Sequence, residues 1–256
     1  MIQSISIVGA GKVATHLSKR LRASGLNIRQ IYSRQLEDAQ ELAATLNAEG
    51  INQWKDLQFS ELDLLIIAVN DQAIPEVAQI LSTLLSHSTL VVHTSGSSPL
   101  SWLNALPRCG IFYPLQSFSP GREPDFQQIP ICVEAPAQSD QNLLIELGQR
   151  ISQKVQVTSE ADRRSLHLAA VFVNNFVNHL YQIAAEILAE RHLPFDLLLP
   201  LIQETAAKIQ GHNPAEMQTG PALRGDRATI ERHLDMLEDH PEWRELYGVF
   251  TALIRS

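Results

Sequence analysis

Short apolar runs alternate with amphipathic segments along the first three-fifths of the chain. The pattern predicts strands near residues 4–8, 28–33, 63–69, 89–93, 110–113, 130–134 and 155–158. Alternating strands and helices are typical of a parallel sheet covered by helices on both faces. The runs at 64–69 and 90–92 lack polar alternation, so we expect their strands to be buried on both sides, near the centre of the sheet.

Strand-like runs stop after residue 158, and the rest of the chain has helical periodicity. Residues 159–192 contain no Pro or Gly, and further helical segments follow near 195–209, 226–237 and 242–254. A change of class at one point indicates a domain boundary. The sequence therefore predicts a doubly wound α/β domain over residues 1–157, followed by a smaller all-α domain over 158–256.

A glycine-rich turn, residues 8–12 (Val-Gly-Ala-Gly-Lys), joins the first predicted strand to a helix. Gly9 permits a tight turn, Gly11 lets the backbone approach a pyrophosphate, and the small Ala14 allows close packing of helix on strand. The helix N-terminus offers free N–H groups and partial positive charge to phosphates. An ordinary strand-to-helix turn is the alternative, but a second strand at the expected distance favours a dinucleotide site.

Ser33 and Arg34 end the second predicted strand, where an NAD site usually carries an acidic residue. A hydroxyl and a guanidinium can bind the 2′-phosphate of NADP, whereas a carboxylate would repel it. We therefore expect NADP as the cofactor. The alternatives are that Arg34 is a solvated residue at the strand end and that Lys12, in the glycine turn, points to solvent.

Composition and charge narrow the class of protein. The 256 residues are 45% apolar, and 28 acidic against 20 basic residues give a net charge of −8, which disfavours nucleic acid or an anionic membrane as a partner. Cys109 and Cys132 lack a CxxC spacing, and no leader or membrane-spanning run is apparent, so we expect a cytoplasmic protein. Nine His and two Cys without ligand spacing predict no metal site.

Ligands of doubly wound sheets bind at the carboxyl ends of the strands, so the residues after each strand are candidates. Val69 and Asn70 follow the third predicted strand, and Asn70 could contact a ribose or form a turn. His93 to Ser98 follow the next strand; this hydroxyl-rich corner could hold a carboxylate or carbonyl, or only cap a helix. Tyr113 follows the fifth and could close the cleft or pack beside Pro114.

A polar stripe runs along the predicted long helix. At 100° per residue, His167, Asn174 and Asn178 lie within roughly 20° of one line. The stripe could face a ligand cleft, or it could form hydrogen bonds across a helix interface. An imidazole with an ordinary pKa near 6.5 suits a general acid at neutral pH.

Four segments carry a specific resemblance: Val92–Gly96, Phe112–Phe118, Leu166–Phe172 and Thr219–Asp226. With the glycine turn, they resemble a bacterial family of Rossmann-like NADP oxidoreductases that carry a C-terminal helical domain of unknown function. That family is part of the 6-phosphogluconate dehydrogenase-like superfamily, which includes pyrroline-5-carboxylate and ketopantoate reductases. The resemblance covers the whole chain and implies a Rossmann domain, a helical domain and a homodimer formed through the helical domain.

The resemblance also implies hydride transfer between NADP and a small carbonyl or imine substrate. Superfamily members acting on hydroxy acids use a Ser-Gly corner for the substrate carboxylate, and a Lys three residues before an Asn-Asn pair. Here Val171 occupies that Lys position, so His167 is the expected proton donor, with His93 and Tyr113 as competitors. Without a donor, the chain would be a non-catalytic NADP(H)-binding redox sensor.

The expected site residues fall into three groups. His167 and Asn174 are the catalytic candidates. The candidates for substrate binding are Ser95, Gly96, Asn178 and Arg224, although Arg224 could instead pair with Asp226. The residues expected to bind the cofactor are Gly9, Ala10, Gly11, Lys12, Val13, Ser33, Arg34, Val69, Asn70 and Thr94.

Overall fold

A computed structural model describes residues 1–85 and 88–255. Contacts divide the chain into two compact units, Met1–Asn174 and Asn175–Ser256. The first unit is built on an eight-stranded sheet with the strand order β3-β2-β1-β4-β5-β6-β7-β8. Its strands are β1 (Ser4–Val8), β2 (Asn27–Tyr32), β3 (Glu49–Ile51), β4 (Leu64–Ile67), β5 (Leu90–His93), β6 (Cys109–Pro114), β7 (Ile131–Glu134) and β8 (Val155–Val157).

The sheet is mostly parallel, as the alternation of elements predicted. From β3 to β6 every neighbouring pair is parallel. The β6–β7 pair is antiparallel, whereas β7 and β8 are parallel to each other. The segment between β6 and β7 holds one short 3-10 helix, Phe126–Gln128, rather than an α-helix. Because a parallel return needs a longer crossover, usually helical, β7 reverses direction, which the sequence pattern did not predict.

In the described part of the first unit, five α-helices accompany the sheet: α1 (Lys12–Ala23), α2 (Leu36–Ala44), α3 (Ile74–Leu84), α4 (Gln138–Gln149) and α5 (Glu160–Ala170). Short 3-10 helices cover Trp54–Asp56, Asp71–Ala73 and Leu100–Leu103. Strand β3 was not predicted, since it is only three residues long and contains Gly50. A Cβ at Gly50 would lie 2.6 Å from the backbone N of Gln40 on α2, so the missing side chain lets the strand approach that helix.

Both faces of the sheet are buried, which confirms the doubly wound fold. All residues of β4 and β5 are buried, and these are the fourth and fifth strands in the order. Leu64 and Ile66 belong to one apolar cluster, and Leu65 and Ile67 to another. Because successive side chains of a strand point to opposite faces, a core lies on each side of the sheet.

The remaining described chain is helical, as predicted, and contains no strand after Val157 among residues 158–255. A six-residue π-helix, Val171–Phe176, follows α5 directly and leads into α6 (Val177–Ala189). A 3-10 helix, Phe195–Leu198, precedes α7 (Leu199–Lys208), and three more helices follow within the described residues: α8 (Pro221–Arg224), α9 (Arg227–Met236) and α10 (Pro241–Arg255). In the described residues, no helix has the length and apolarity required to traverse a bilayer.

The boundary between the two compact units lies at Asn174/Asn175, well after the last strand, which ends at Val157. Helix α5 belongs to the sheet unit, because Leu166 packs against a cluster containing Ile111 and the Arg163 guanidinium donates to the loop after β5. The division into functional domains at 157/158 stays a prediction based on the change from strands to helices.

Candidate functional site

The glycine turn between β1 and α1 is shaped by two glycines with different surroundings. Gly9 has a φ of +116°, and its N–H donates to the Tyr32 carbonyl at 2.7 Å. A Cβ at Gly9 would lie 2.2 Å from the Ala68 carbonyl oxygen, so the turn passes directly against the end of β4. Gly11 is the N-cap of α1 in extended conformation, and a Cβ there would meet nothing within 4 Å among the described residues. The fold therefore requires Gly9 but leaves space beside Gly11.

A cavity of about 640 Å³ opens beside this turn. Every residue that the sequence predicted to bind the cofactor lines it. The wall also includes residues that were not predicted: Val8, Tyr32, Asp38, Trp54, Ala68, Ala73, Glu76, Val77 and Ile80. The first turn of α1 carries no acidic residue, and Lys12 and Arg34 contribute positive charge. An open glycine backbone, an unobstructed helix N-terminus and two cations fit the phosphates of a dinucleotide.

The wall of the cavity after β2 combines aromatic rings with charged side chains. Tyr32 and Trp54 are stacked, with ring centroids 3.8 Å apart and planes 19° from parallel. Burial raises the pKa of the Tyr32 hydroxyl, and the charge of Arg34 opposes that shift. Arg34 is exposed, and no described carboxylate lies within ion-pair distance of it. Asp38 on α2 also lines the cavity. This wall therefore does contain an acidic residue, but later in the chain than the end of β2, where an NAD site usually carries one.

The loop after β5 is held together by its own hydroxyls. The Ser95 Oγ accepts hydrogen bonds from the N–H groups of Ser97 at 3.2 Å and Ser98 at 3.0 Å, and donates to the Ser98 Oγ at 2.9 Å. The Ser97 Oγ donates to Asp71 Oδ2 at 2.6 Å, which ties this loop to the corner after β4. Thr94, directly before the loop, lines the cavity. The loop therefore adjoins the cavity, and the predicted contact of Ser95 with substrate stays a prediction.

Arg163 on α5 anchors this loop, and the sequence analysis missed it. Its side chain is fully buried, and Nη1 donates to the carbonyl oxygens of Ser95 at 3.2 Å, Gly96 at 3.1 Å and Ser98 at 2.8 Å. Nη2 lies 3.5 Å from Glu134 Oε2. Burial raises the pKa of the Glu134 carboxyl, and the charge of Arg163 opposes that shift. The available signal was spacing, because Arg163 precedes His167 by one helical turn and so shares its face.

His167 and Tyr113 contact each other beside Gly96 of the same loop. The Tyr113 hydroxyl lies 3.2 Å from His167 Nδ1, and the two rings are arranged edge to face with centroids 6.2 Å apart. A Cβ at Gly96 would lie 2.6 Å from Tyr113 Cζ and 2.7 Å from His167 Nδ1. Burial raises the pKa of the Tyr113 hydroxyl to about 12. A protonated phenol, an imidazole and a glycine backbone therefore share one small volume.

His93 has a different environment from His167. It is fully buried, and its Nδ1 accepts a hydrogen bond from the Ser95 N–H at 3.2 Å. Burial, reinforced by the charge of Arg163, lowers the pKa of His93 to about 4. The ring is therefore neutral at physiological pH, and its Nδ1 lone pair holds the Ser95 N–H of the loop.

Comparison with known proteins identifies the family of the chain. Residues 4–96 match the family model "NADP oxidoreductase coenzyme F420-dependent", and residues 129–254 match the model "Domain of unknown function (DUF2520)". A solved structure from Bacteroides fragilis, described as a "putative NADP oxidoreductase", is 41% identical with a TM-score of 0.94, covering 99% of this chain and 98% of its own. The chain therefore belongs to the NADP oxidoreductase family that combines these two domains.

More distant structures share the fold. A Thermotoga maritima protein is 22% identical with a TM-score of 0.78, covering 98% of this chain and 100% of its own. The 1-pyrroline-5-carboxylate reductase of Streptococcus pyogenes is 16% identical with a TM-score of 0.66, covering 99% of this chain and 98% of its own. A search of proteins with curated functions finds no significant match.

The remaining predicted residues lie on the helical segments. Asn174 is exposed and belongs to the π-helix, so the 100° spacing that aligned it with His167 does not hold there. Asn178 and Arg224 belong to the second unit, on α6 and α8. Asp226 caps α9, accepting from the Thr229 N–H at 3.1 Å, and lies outside ion-pair distance of Arg224 in the described structure. The roles predicted for Asn174, Asn178 and Arg224 stay predictions.

Proposed function

We propose that this family member is an NADP-dependent oxidoreductase acting on a small carbonyl or imine substrate. The observation that carries the proposal is the cavity beside the glycine turn, because it gathers every residue predicted to bind the cofactor. Gly11, the α1 N-terminus and Lys12 hold the pyrophosphate in this proposal. Ser33 and Arg34 hold the 2′-phosphate and favour NADP over NAD.

The substrate side of the proposed site is the loop from Ser95 to Ser98. When bound, NADPH supplies a hydride to the carbon of a C=O or C=N group. Gly96 and its neighbours hold the substrate, while His167 passes a proton to the product oxygen or nitrogen. His93 is a poor candidate for that task, because its pKa of about 4 leaves it without a proton to give at neutral pH. Tyr113 is equally unsuited to give up its proton, since burial raises its pKa to about 12.

Calorimetric titration with NADP, NADPH, NAD and NADH tests the cofactor proposal. For Arg34→Ala we expect NADP and NADPH to bind about 10- to 100-fold more weakly, with NAD and NADH little changed, because charged hydrogen bonds to the 2′-phosphate are lost. Lys19→Ala is the matched control, because it removes one positive charge from an exposed position of α1 outside the cavity. Absence of binding by all four dinucleotides in the wild-type protein would overturn the proposal.

A screen of carbonyl and imine substrates, following the absorbance of the reduced nicotinamide, tests catalysis. Turnover that His167→Gln reduces by about 100-fold or more supports the proposed proton donor. Tight NADP(H) binding without turnover of any substrate class favours the redox-sensor alternative. Val171, in the position of the superfamily lysine, is the observation that keeps this alternative.

We also propose that the chain forms a homodimer through its helical domain. The resemblance to the superfamily supports this, and so do exposed leucines on the second unit, such as Leu197 and Leu201.

The two buried cysteines of the chain, Cys109 and Cys132, are free thiols, in keeping with the predicted cytoplasmic location.

A further inference from the structure

The contact between Tyr113 and His167 determines which ring nitrogen is available to a substrate. Tyr113 lies on β6 and is 8% exposed, and its hydroxyl meets Nδ1 of His167 on α5 at 3.2 Å. The other nitrogen, Nε2, forms no hydrogen bond to any residue in the described part of the chain, and it is not among the buried polar atoms that lack a partner. The ring therefore presents two unlike nitrogens, one engaged within the protein and one available.

A phenol can hold Nδ1 in both protonation states of the imidazole. Its oxygen accepts from Nδ1–H when the ring is protonated, and its O–H can donate when Nδ1 carries a lone pair. Burial raises the pKa of Tyr113 to about 12, so the phenol keeps its own proton throughout. The usual partner of a catalytic histidine, a carboxylate, only accepts and also adds a negative charge.

The surrounding structure enforces this pairing. Gly96 has no side chain, and a Cβ there would lie 2.8 Å from the Tyr113 hydroxyl oxygen and 2.7 Å from His167 Nδ1. Arg163 donates a hydrogen bond to the Gly96 carbonyl, and it lies on the same helix as His167, one turn earlier. The Arg163 hydrogen bond and the close approach at Gly96 thus hold the loop backbone against the two rings.

We infer that Tyr113 is a positioning residue, which occupies Nδ1 of His167 and thereby assigns Nε2 as the atom that passes a proton to the product. This inference rests on the proposed oxidoreductase function. In the reduction, the Nε2–H bond of the protonated ring breaks and an O–H or N–H bond forms on the product, while the carbon receives the hydride. The imidazole is left neutral, and Tyr113 retains its proton.

Nitrogen-15 NMR of the histidine rings tests the pairing without a substrate. The His167→Gln variant assigns the signals of His167. We expect Tyr113→Phe to shift the Nδ1 signal of His167, because the hydroxyl that engages it is gone. Gly96→Ala should produce the same shift, since the added methyl group separates the two rings. An Nδ1 signal of His167 that is identical in the wild type and in Tyr113→Phe would overturn the inference.

The second unit offers a matched control. The Tyr247 hydroxyl lies 2.8 Å from His233 Nδ1, also with the rings edge to face. Tyr247→Phe removes the same chemical group from another histidine, so it should shift the signals of His233 and leave those of His167 unchanged. A shift at His167 in this variant would mean that the signal reports general perturbation rather than the local contact, and would overturn the inference.

Kinetics with the substrate that the screen identifies tests the role of the pairing. We expect Tyr113→Phe to lower kcat about 10-fold or more with KM nearly unchanged, because the proton donor loses its orientation while the substrate contacts remain. Tyr247→Phe should leave both constants unchanged. An unchanged kcat in Tyr113→Phe overturns the inference while leaving the proposed function intact. Failure of the wild type to bind NADP(H) overturns the proposed function, and the NMR measurement still decides whether Tyr113 holds Nδ1.

Discussion

Gly9 and Gly11 stand two residues apart in the same turn, and the space beside each is different. Gly9 has a positive φ and lies against the Ala68 carbonyl, whereas the space beside Gly11 is open. The glycine motif predicted both positions from the sequence. Only the structure separates the one that the backbone requires from the one that a ligand would require.

Substituting alanine should therefore reduce stability at Gly9 but ligand binding at Gly11. Gly9→Ala should lower the free energy of unfolding by about 3 kcal/mol or more, because its Cβ overlaps Ala68 in a backbone conformation that L-residues avoid. Gly11→Ala should change stability by less than about 1 kcal/mol and weaken NADP binding about 10-fold or more. Urea unfolding and calorimetry measure the two effects. A Gly11→Ala protein that binds NADP like the wild type would contradict the assigned pyrophosphate position.

His93 should make stability depend on pH. Its pKa is about 4 in the folded chain and near 6.5 when unfolded, so the folded state favours the neutral ring. This contribution is fully present above pH 6.5 and is lost as the pH falls towards 4, because only the unfolded chain takes up the proton in that interval. Urea unfolding at pH 7 and pH 4 should show a loss about 3 kcal/mol greater in the wild type than in His93→Asn. Equal losses in the two proteins would contradict the assignment.

At the scale of single residues, the ten residues predicted to bind a cofactor all line one cavity, because short motifs fix where those residues lie relative to strand ends. Trp54 and Arg163 were missed for a physical reason. Trp54 lies in a 3-10 helix far along the chain from the turn, and only the sheet brings it against Tyr32. Arg163 is fully buried, whereas a charged residue in a helical pattern is predicted to lie on the solvent-exposed face.

Among the elements, helix α5 carries two adjacent arginines with opposite environments. Arg163 is buried and donates to three carbonyls of the loop after β5. Arg164 is half exposed, donates to the Ser97 carbonyl at 3.2 Å and lies 3.4 Å from Glu160. The pair allows the value of the buried guanidinium to be measured against its neighbour on the same helix.

Arg163→Met should lower the free energy of unfolding by about 3 kcal/mol, because three carbonyls and Glu134 lose their buried cationic partner. Arg164→Met should cost less than about 1 kcal/mol, since the contacts of an exposed arginine are replaced by water. Chemical denaturation of both variants checks this. Equal losses would mean that the loop does not depend on Arg163.

The elements that escaped prediction share a cause, which is that local pattern does not encode them. The π-helix at Val171–Phe176 carries residues that fit an α-helix equally well, and its i→i+5 hydrogen bonds alter the angular spacing on which the polar stripe was built. Strand β7 has an ordinary apolar run, and its reversed direction follows from the connection that precedes it. Periodicity thus predicted where elements lie, but not whether two strands pair in parallel or antiparallel, nor whether a helix is α or π.

For the whole molecule, the proposed homodimer makes a prediction about mass. Leu197 and Leu201 are each 63% exposed on the second unit. The double variant Leu197→Glu/Leu201→Glu should sediment as a monomer, because charges buried at an apolar interface oppose association. Leu36→Glu/Leu84→Glu, on exposed leucines of the sheet unit, should sediment like the wild type. A wild-type protein that sediments as a monomer at micromolar concentrations would contradict the proposal.

The stacked pair of Tyr32 and Trp54 gives the protein an intrinsic optical probe. The chain has three tryptophans, and Trp54 lines the cavity whereas Trp102 and Trp243 do not. Any ligand that enters this cavity changes the surroundings of one indole ring, so its fluorescence should report occupancy without a label. Trp54→Phe should abolish the ligand-dependent change while the emission of the other two rings persists. A first screen for ligands of this protein can therefore use its intrinsic tryptophan fluorescence.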